Sequence, residues 1–131
     1  MVTYTYVAEA TSVRAARQQV ADALQAAHVE SSGMAVLLTS ELVSNAVEHA
    51  GTDFDVVVAV DDQVVRVEIH DGAAVSEALR DLIASPPVNA DPSAPRGRGL
   101  FMVGSTAVRF GLIDKGEDGK AVWFELHRED A

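Results

Sequence analysis

The sequence predicts an α+β fold in two layers, with helices covering one face of a sheet. Two stretches with apolar residues at helical spacing are followed by two strand-like stretches joined by a hairpin-sized loop. The second of these strands alternates Val65, Val67 and Ile69 with Arg66, Glu68 and His70, so one face is buried and the other polar. A further strand–turn–strand pattern ends the chain. At 131 residues this is a single domain, 1–131, large enough for an ordinary core.

Composition narrows the function. With 48% apolar residues the chain folds by itself rather than serving as a disordered tail. Its 20 acidic against 10 basic residues, a formal charge of -10, argue against direct nucleic-acid binding and against attraction to an anionic membrane. A nucleotide is not excluded, because local glycines, arginines and a cation can neutralise a triphosphate within an acidic protein. Cysteine is absent, which removes disulfides, thiolate nucleophiles and Cys-ligated zinc and fits a reducing compartment. The start, Met1 to Val7, has neither a basic region nor a long apolar run, so no signal peptide is expected. Apolar runs such as Val56 to Val60 are too short to span a bilayer. The expectation is a soluble, cytoplasmic domain.

In chain order, Tyr4 to Val7 is β-branched and aromatic and reads as an edge strand. Thr11 or Ser12 can cap a helix running to about Ala27, with Val13, Ala16, Val20 and Leu24 on one face. Ser31-Ser-Gly33 breaks the chain before a second helix from about Met34 to His49, whose stripe is Leu38, Leu42, Ala46 and Ala50. Gly51 supplies a left-handed stop. Strands at Phe54 to Val60 and Val64 to His70 flank the Asp61-Asp-Gln63 loop. Asp71-Gly72 is an abrupt exit, and Ser76 can cap a short helix from Glu77 to about Ala84. The segment from Ser85 to Gly99 holds all four prolines with two glycines and two arginines, a length that in a compact domain marks function or disorder. A helix follows from Leu100 to Ala107, then a strand from Val108 to Ile113, a turn from Asp114 to Gly119 and a closing strand from Ala121 to Leu126. Trp123 in that strand reads most simply as core.

Several stretches carry chemistry, each with a plainer explanation beside it. Glu41, Asn45 and either Glu48 or His49 lie one turn apart, which sets a carboxylate and a carboxamide on one helix face; a merely solvated face has the same look. Gly97-Arg-Gly99 opening a helix allows close backbone approach to an anion, with Arg96 and Arg98 able to meet terminal phosphates; a solubilising loop would also carry such residues. Asp71 at a strand end could accept from a purine amino group or simply begin a turn. His49, His70, Glu48 and Glu68 show no zinc spacing, so structural or surface histidines are expected, His49 as a helix-end residue. Neither a Walker pattern nor a Ser-His-Asp arrangement is present.

Taken in order, Glu-Leu-Val-Ser-Asn-Ala-Val-Glu-His-Ala over 41–50, a hairpin ending in Asp71-Gly72, a Pro/Gly loop and Gly-Arg-Gly-Leu over 97–100 resemble the Bergerat-type ATP-binding fold. That superfamily includes gyrase, histidine kinases and mismatch-repair ATPases. The single-domain length and the final Gly119-Lys-Ala-Val-Trp-Phe-Glu-Leu126 resemble the bacterial anti-sigma-factor serine kinases. The resemblance spans roughly residues 11 to 126.

The resemblance implies a two-layer sandwich with a mixed, mostly antiparallel sheet covered on one face by helices. It implies ATP and Mg²⁺, with Asn45 as the metal ligand and Glu41 as the general base acting on a serine or threonine hydroxyl, or on a water. Asp71 would read adenine, with Gly72 beside it; Arg96, Gly97, Arg98, Gly99 and Leu100 would meet the phosphates under a lid at about 85–98. It also implies a homodimer through the sheet edge and first helix. The sequence departs from the family's Asp-x-Gly-x-Gly box, with Ala73 and Val75 at the glycine positions, and has Ala121 where a hydroxyl residue often follows the late glycine. Two functions are therefore expected in competition. One is an ATP-dependent regulator that sequesters a sigma factor and phosphorylates an anti-anti-sigma antagonist. The other is a catalytically silent partner-switching module of the same fold.

Overall fold

The computed structural model describes residues 1–85 and 98–131, with the backbone alone described over 98–101. The order of elements is β1 (Val2–Tyr6), α1 (Ala10–Ala26), α2 (Gly33–Asn45), β2 (Phe54–Val60), β3 (Val64–Asp71), α3 (Glu77–Ala84), α4 (Arg98–Thr106), β4 (Arg109–Asp114) and β5 (Lys120–His127). Among the described residues five strands form one sheet in the order β1-β2-β3-β5-β4, and every pairing there is antiparallel rather than mixed, since each neighbouring pair runs in opposite directions. The two-layer α+β arrangement expected from the sequence is thus present, with β1 at an edge. Among the described residues no helix is long and apolar enough to cross a membrane.

The alternation in β3 has the predicted result. Val65, Val67 and Ile69 are buried and meet Leu126, Phe124 and Val122 in register on β5. On the same face β2 contributes Phe54, Val56 and Val58. Leu24 and Val20 of α1 and Leu38, Leu42 and Val43 of α2 close the core from above. Each such side chain contributes about 1.5–3 kcal/mol when fully buried.

Two helix boundaries differ from expectation. Helix α1 starts at Ala10 with Glu9 in the cap position and no side-chain cap bond. Ser12 cannot serve as the cap because it lies on the buried stripe with Ala16, Val20 and Leu24, one turn before Ala16. The second helix is not α-helical to its end: after Asn45 it widens into a π-helical turn over Ala46–Ala50. Gly51 closes that turn, donating its N–H to the Ala46 carbonyl at 3.2 Å with a left-handed φ of 66°. The Ser76 hydroxyl accepts from Leu79 N–H at 3.0 Å, the expected cap of α3.

The other sheet face is ionic. Trp123, expected in the core, lies on this face opposite Glu68 and Gly111, because its parity on β5 is opposite to that of Val122 and Phe124. The Arg66 guanidinium sits 3.9 Å above its ring, and a Cβ at Gly111 would press on the indole. Arg66 Nε also donates to Glu68 Oε2 at 2.7 Å, and His70 Nε2 lies 2.7 Å from Glu68 Oε1. Burial pushes the Glu68 carboxyl up, but the His70 and Arg66 hydrogen bonds and charges outweigh it and hold it below its ordinary range.

Gly119, just before β5, has φ 103°, and a Cβ there would run into the Asp71 carbonyl oxygen and Gly72 Cα. Gly51 has a left-handed φ but open space around it. Gly51→Ala should therefore cost about 1–2 kcal/mol, the left-handed penalty alone. Gly119→Ala should cost clearly more, because the β3 and β5 ends must also separate. Urea unfolding of both variants measures the difference, and equal losses would contradict the close approach.

Candidate functional site

A cleft of about 290 Å³ opens where the end of α2 and its π turn face the ends of β3 and β5, with α3 across from them. This lies near the lower end of ligand pockets, which run roughly 300–1,000 Å³. Leu42 and Ala46 from the helix, Ile69 and Val122 from the strands and Leu79 and Leu82 from α3 give it apolar walls. Those walls suit a flat, poorly hydrated ring. Its polar lining comes from Asn45, His49, Asp71, Ser76 and Lys120.

Asp71 is the floor. As the last residue of β3 it falls on the inward face and is only 8% exposed. A buried carboxylate needs donors, and two converge on one oxygen: Ala73 N–H at 2.9 Å and Lys120 Nζ at 2.7 Å, both on Oδ1. Lys120 is there because it begins β5 directly opposite Asp71 in the antiparallel register. The following turn is fixed by Thr52, whose Oγ1 accepts from Gly72 N–H at 2.8 Å and donates to the Asp53 carbonyl at 3.0 Å. The loop after the π turn is thereby tied to the exit of β3.

Of the residues singled out in the sequence, Asn45 and Asp71 are brought to one cleft, Asn45 with an exposed side chain. Glu41 stands one helical turn earlier, partly exposed and outside the cleft lining. Gly72 is beside the cleft rather than in its lining. Ala73, at a position where a glycine was expected, does line the cleft. Gly99 and Leu100 lie in the first turn of α4, which begins at Arg98 and packs against α2. Arg96, Gly97 and most of the lid at about 85–98 lie outside the described residues.

Three residues were missed. His49, expected only as a helix-end residue, lines the cleft together with Asn45, Ala46 and Ala50, its neighbours on the same helix face. Lys120 has no role in the sequence reading; the signal that points to it is its place immediately after Gly119, opposite a strand-end aspartate. Thr52 carries no sequence signal beyond its position after Gly51.

The donor set fits a magnesium nucleotide. An exposed carboxamide oxygen is a hard ligand of the kind Mg²⁺ accepts when phosphates and waters complete its shell. Among the described residues no cluster of three or more His, Asp or Glu could hold an ion. Protein ligation would then rest on Asn45.

Comparison with protein families agrees in extent and kind. The model of the histidine kinase-like ATPase domain matches residues 6–126. A search of curated proteins found no match to the chain.

Breaking the floor pair from one side leaves a charge buried and unpaired. Asp71→Leu should cost about 3–5 kcal/mol, and adding Lys120→Met should recover much of that loss. Urea unfolding of the single and double variants reads this coupling, and additive losses would contradict it.

Proposed function

The chain belongs to the histidine kinase-like ATPase family, and from that premise we propose that it binds ATP with Mg²⁺ as an anti-sigma regulator of the serine-kinase type. In this reading it sequesters a sigma factor and phosphorylates a serine or threonine of an anti-anti-sigma antagonist. The observation that carries it is the cleft itself, which has Asp71 on its floor, apolar walls and Asn45 in its lining.

The roles follow from position. Asp71 takes an amino hydrogen of the base, and Ile69, Val122 and Leu42 cover the ring. Asn45 holds the metal, which supplies charge neutralisation at the phosphates when bound. Glu41, one turn earlier on the same helix, removes the proton from the attacking hydroxyl, and its partly exposed position leaves it open to a protein substrate. Helix α4 packs against α2, so its N-terminal N–H groups at 98–100 belong to the same side of the fold as Glu41 and Asn45. Phosphorylation would add charge to an interface with an acidic protein and so discourage rebinding of the antagonist. A homodimer through β1 completes the reading; β1 is a sheet edge, and Val2 there is 44% exposed.

One feature favours the silent partner-switching module instead: Ala73 lines the cleft where the family has a glycine. Two substitutions separate the readings. Glu41→Ala should lower phosphate transfer to the antagonist by about 10²–10⁴-fold and leave MgATP affinity nearly unchanged. Asn45→Ala should weaken binding itself, and only when Mg²⁺ is present. Transfer assays and calorimetry measure both. Tight MgATP binding without detectable transfer by the unaltered protein would select the silent module.

A further inference from the structure

The floor of the cleft holds more hydrogen-bonding capacity than the protein uses. Lys120 and Asp71 are 2.7 Å apart, with side chains only 12% and 7% exposed. An ammonium has three donors. Among the described residues only one of them is used, on Asp71 Oδ1. That oxygen already accepts from Ala73 N–H, while Oδ2 has no donor among the described residues. Both side chains line the same cleft, and the strand residues beside them there, Ile69 and Val122, are apolar and cannot satisfy them. The floor therefore sets an acceptor and a donor side by side in the lining of that cleft.

That pair has a definite complement. Adenine carries its exocyclic amino donor next to the ring N1 acceptor. A 6-oxo purine carries an acceptor next to an N1–H donor, the reverse order, which would set its oxygen against the Asp71 carboxylate. We propose that Lys120 is a specificity-determining residue, donating to the purine ring N1 while Asp71 Oδ2 accepts from the amino group. The inference rests on the nucleotide-binding reading above and adds to it a second base contact. Lys120 can make that contact without leaving Asp71, because its two unused N–H groups are sufficient.

The test is calorimetry of the full chain with MgATP, with the magnesium complex of 1-deaza-ATP, which has a C–H in place of N1, and with MgGTP. The unaltered protein should bind 1-deaza-ATP and GTP at least about tenfold more weakly than ATP, the loss expected for one hydrogen bond to a charged group. Lys120→Met should bind ATP about tenfold more weakly and treat ATP and 1-deaza-ATP alike. Equal affinity of the unaltered protein for ATP and either analogue overturns the role of Lys120. So does a Lys120→Met protein with undiminished or tighter ATP binding, which would make the lysine a lock on Asp71. If Lys120→Met does not fold, the analogue series on the unaltered protein still decides. No ATP binding by the unaltered protein would overturn the nucleotide-binding reading, and this inference with it; ATP binding without discrimination overturns this inference alone.

Discussion

Asp71 ends β3 where water scarcely reaches, and a carboxylate in such a place persists only if donors are brought to it. Much of the local architecture follows from that need. Lys120 has to begin β5 directly across the register, so the two strand ends must come close together. The residue before it must then lack a side chain, since a Cβ at Gly119 would occupy the Asp71 carbonyl. The chain after Asp71 has to turn back within two residues so that Ala73 N–H reaches the same oxygen. Thr52 holds that turn from the other side through Gly72. Once these conditions are met, both side chains of the pair line a cleft with apolar walls.

The sheet divides its two faces between different forces. The inner face is apolar and carries the helices, so the positions of Leu42 and Asn45 over the cleft are set by hydrophobic packing of α2 on β3 and against α1. The outer face is held by charge pairs and by the stacking of Arg66 on Trp123. Because β3 runs through the middle of both, its inner end is a rigid place for a polar group, which a base-reading residue requires. The π turn after Asn45 is the local irregularity, and such turns are frequent at functional sites. Here it lines the cleft with three positions, Ala46, His49 and Ala50.

The fold class was legible because period 2 in β3 and the fourfold spacing in α1 and α2 are strong, local signals. The exit at Asp71, the cap at Ser76 and the stop at Gly51 were legible for the same reason: each depends on one residue's own chemistry. The failures are non-local. Lys120 gains its role only from the β3–β5 register, which joins residues 49 positions apart. Trp123 was misplaced because a hydrophobic type was read without its parity on the strand; its partners Glu68 and Gly111 decide which face it takes. His49 shares a helix face with Asn45 by spacing alone, but no metal-ligand spacing marks it, and its place in the cleft depends on β3 and β5 packing beneath that face. Ser12 lost its capping role to a stripe that the spacing of Ala16, Val20 and Leu24 already described.

The proposed function requires the cleft floored by Asp71 to take an adenine nucleotide. Amide NMR shifts of the unaltered protein during a titration with MgATP test it most directly, because they report where binding occurs. Saturable shifts are expected at Asp71, Ala73, Lys120 and residues 45–50. Absence of saturable shifts, or shifts centred on the separate hollow formed by His28, Glu30 and Arg128, would contradict it.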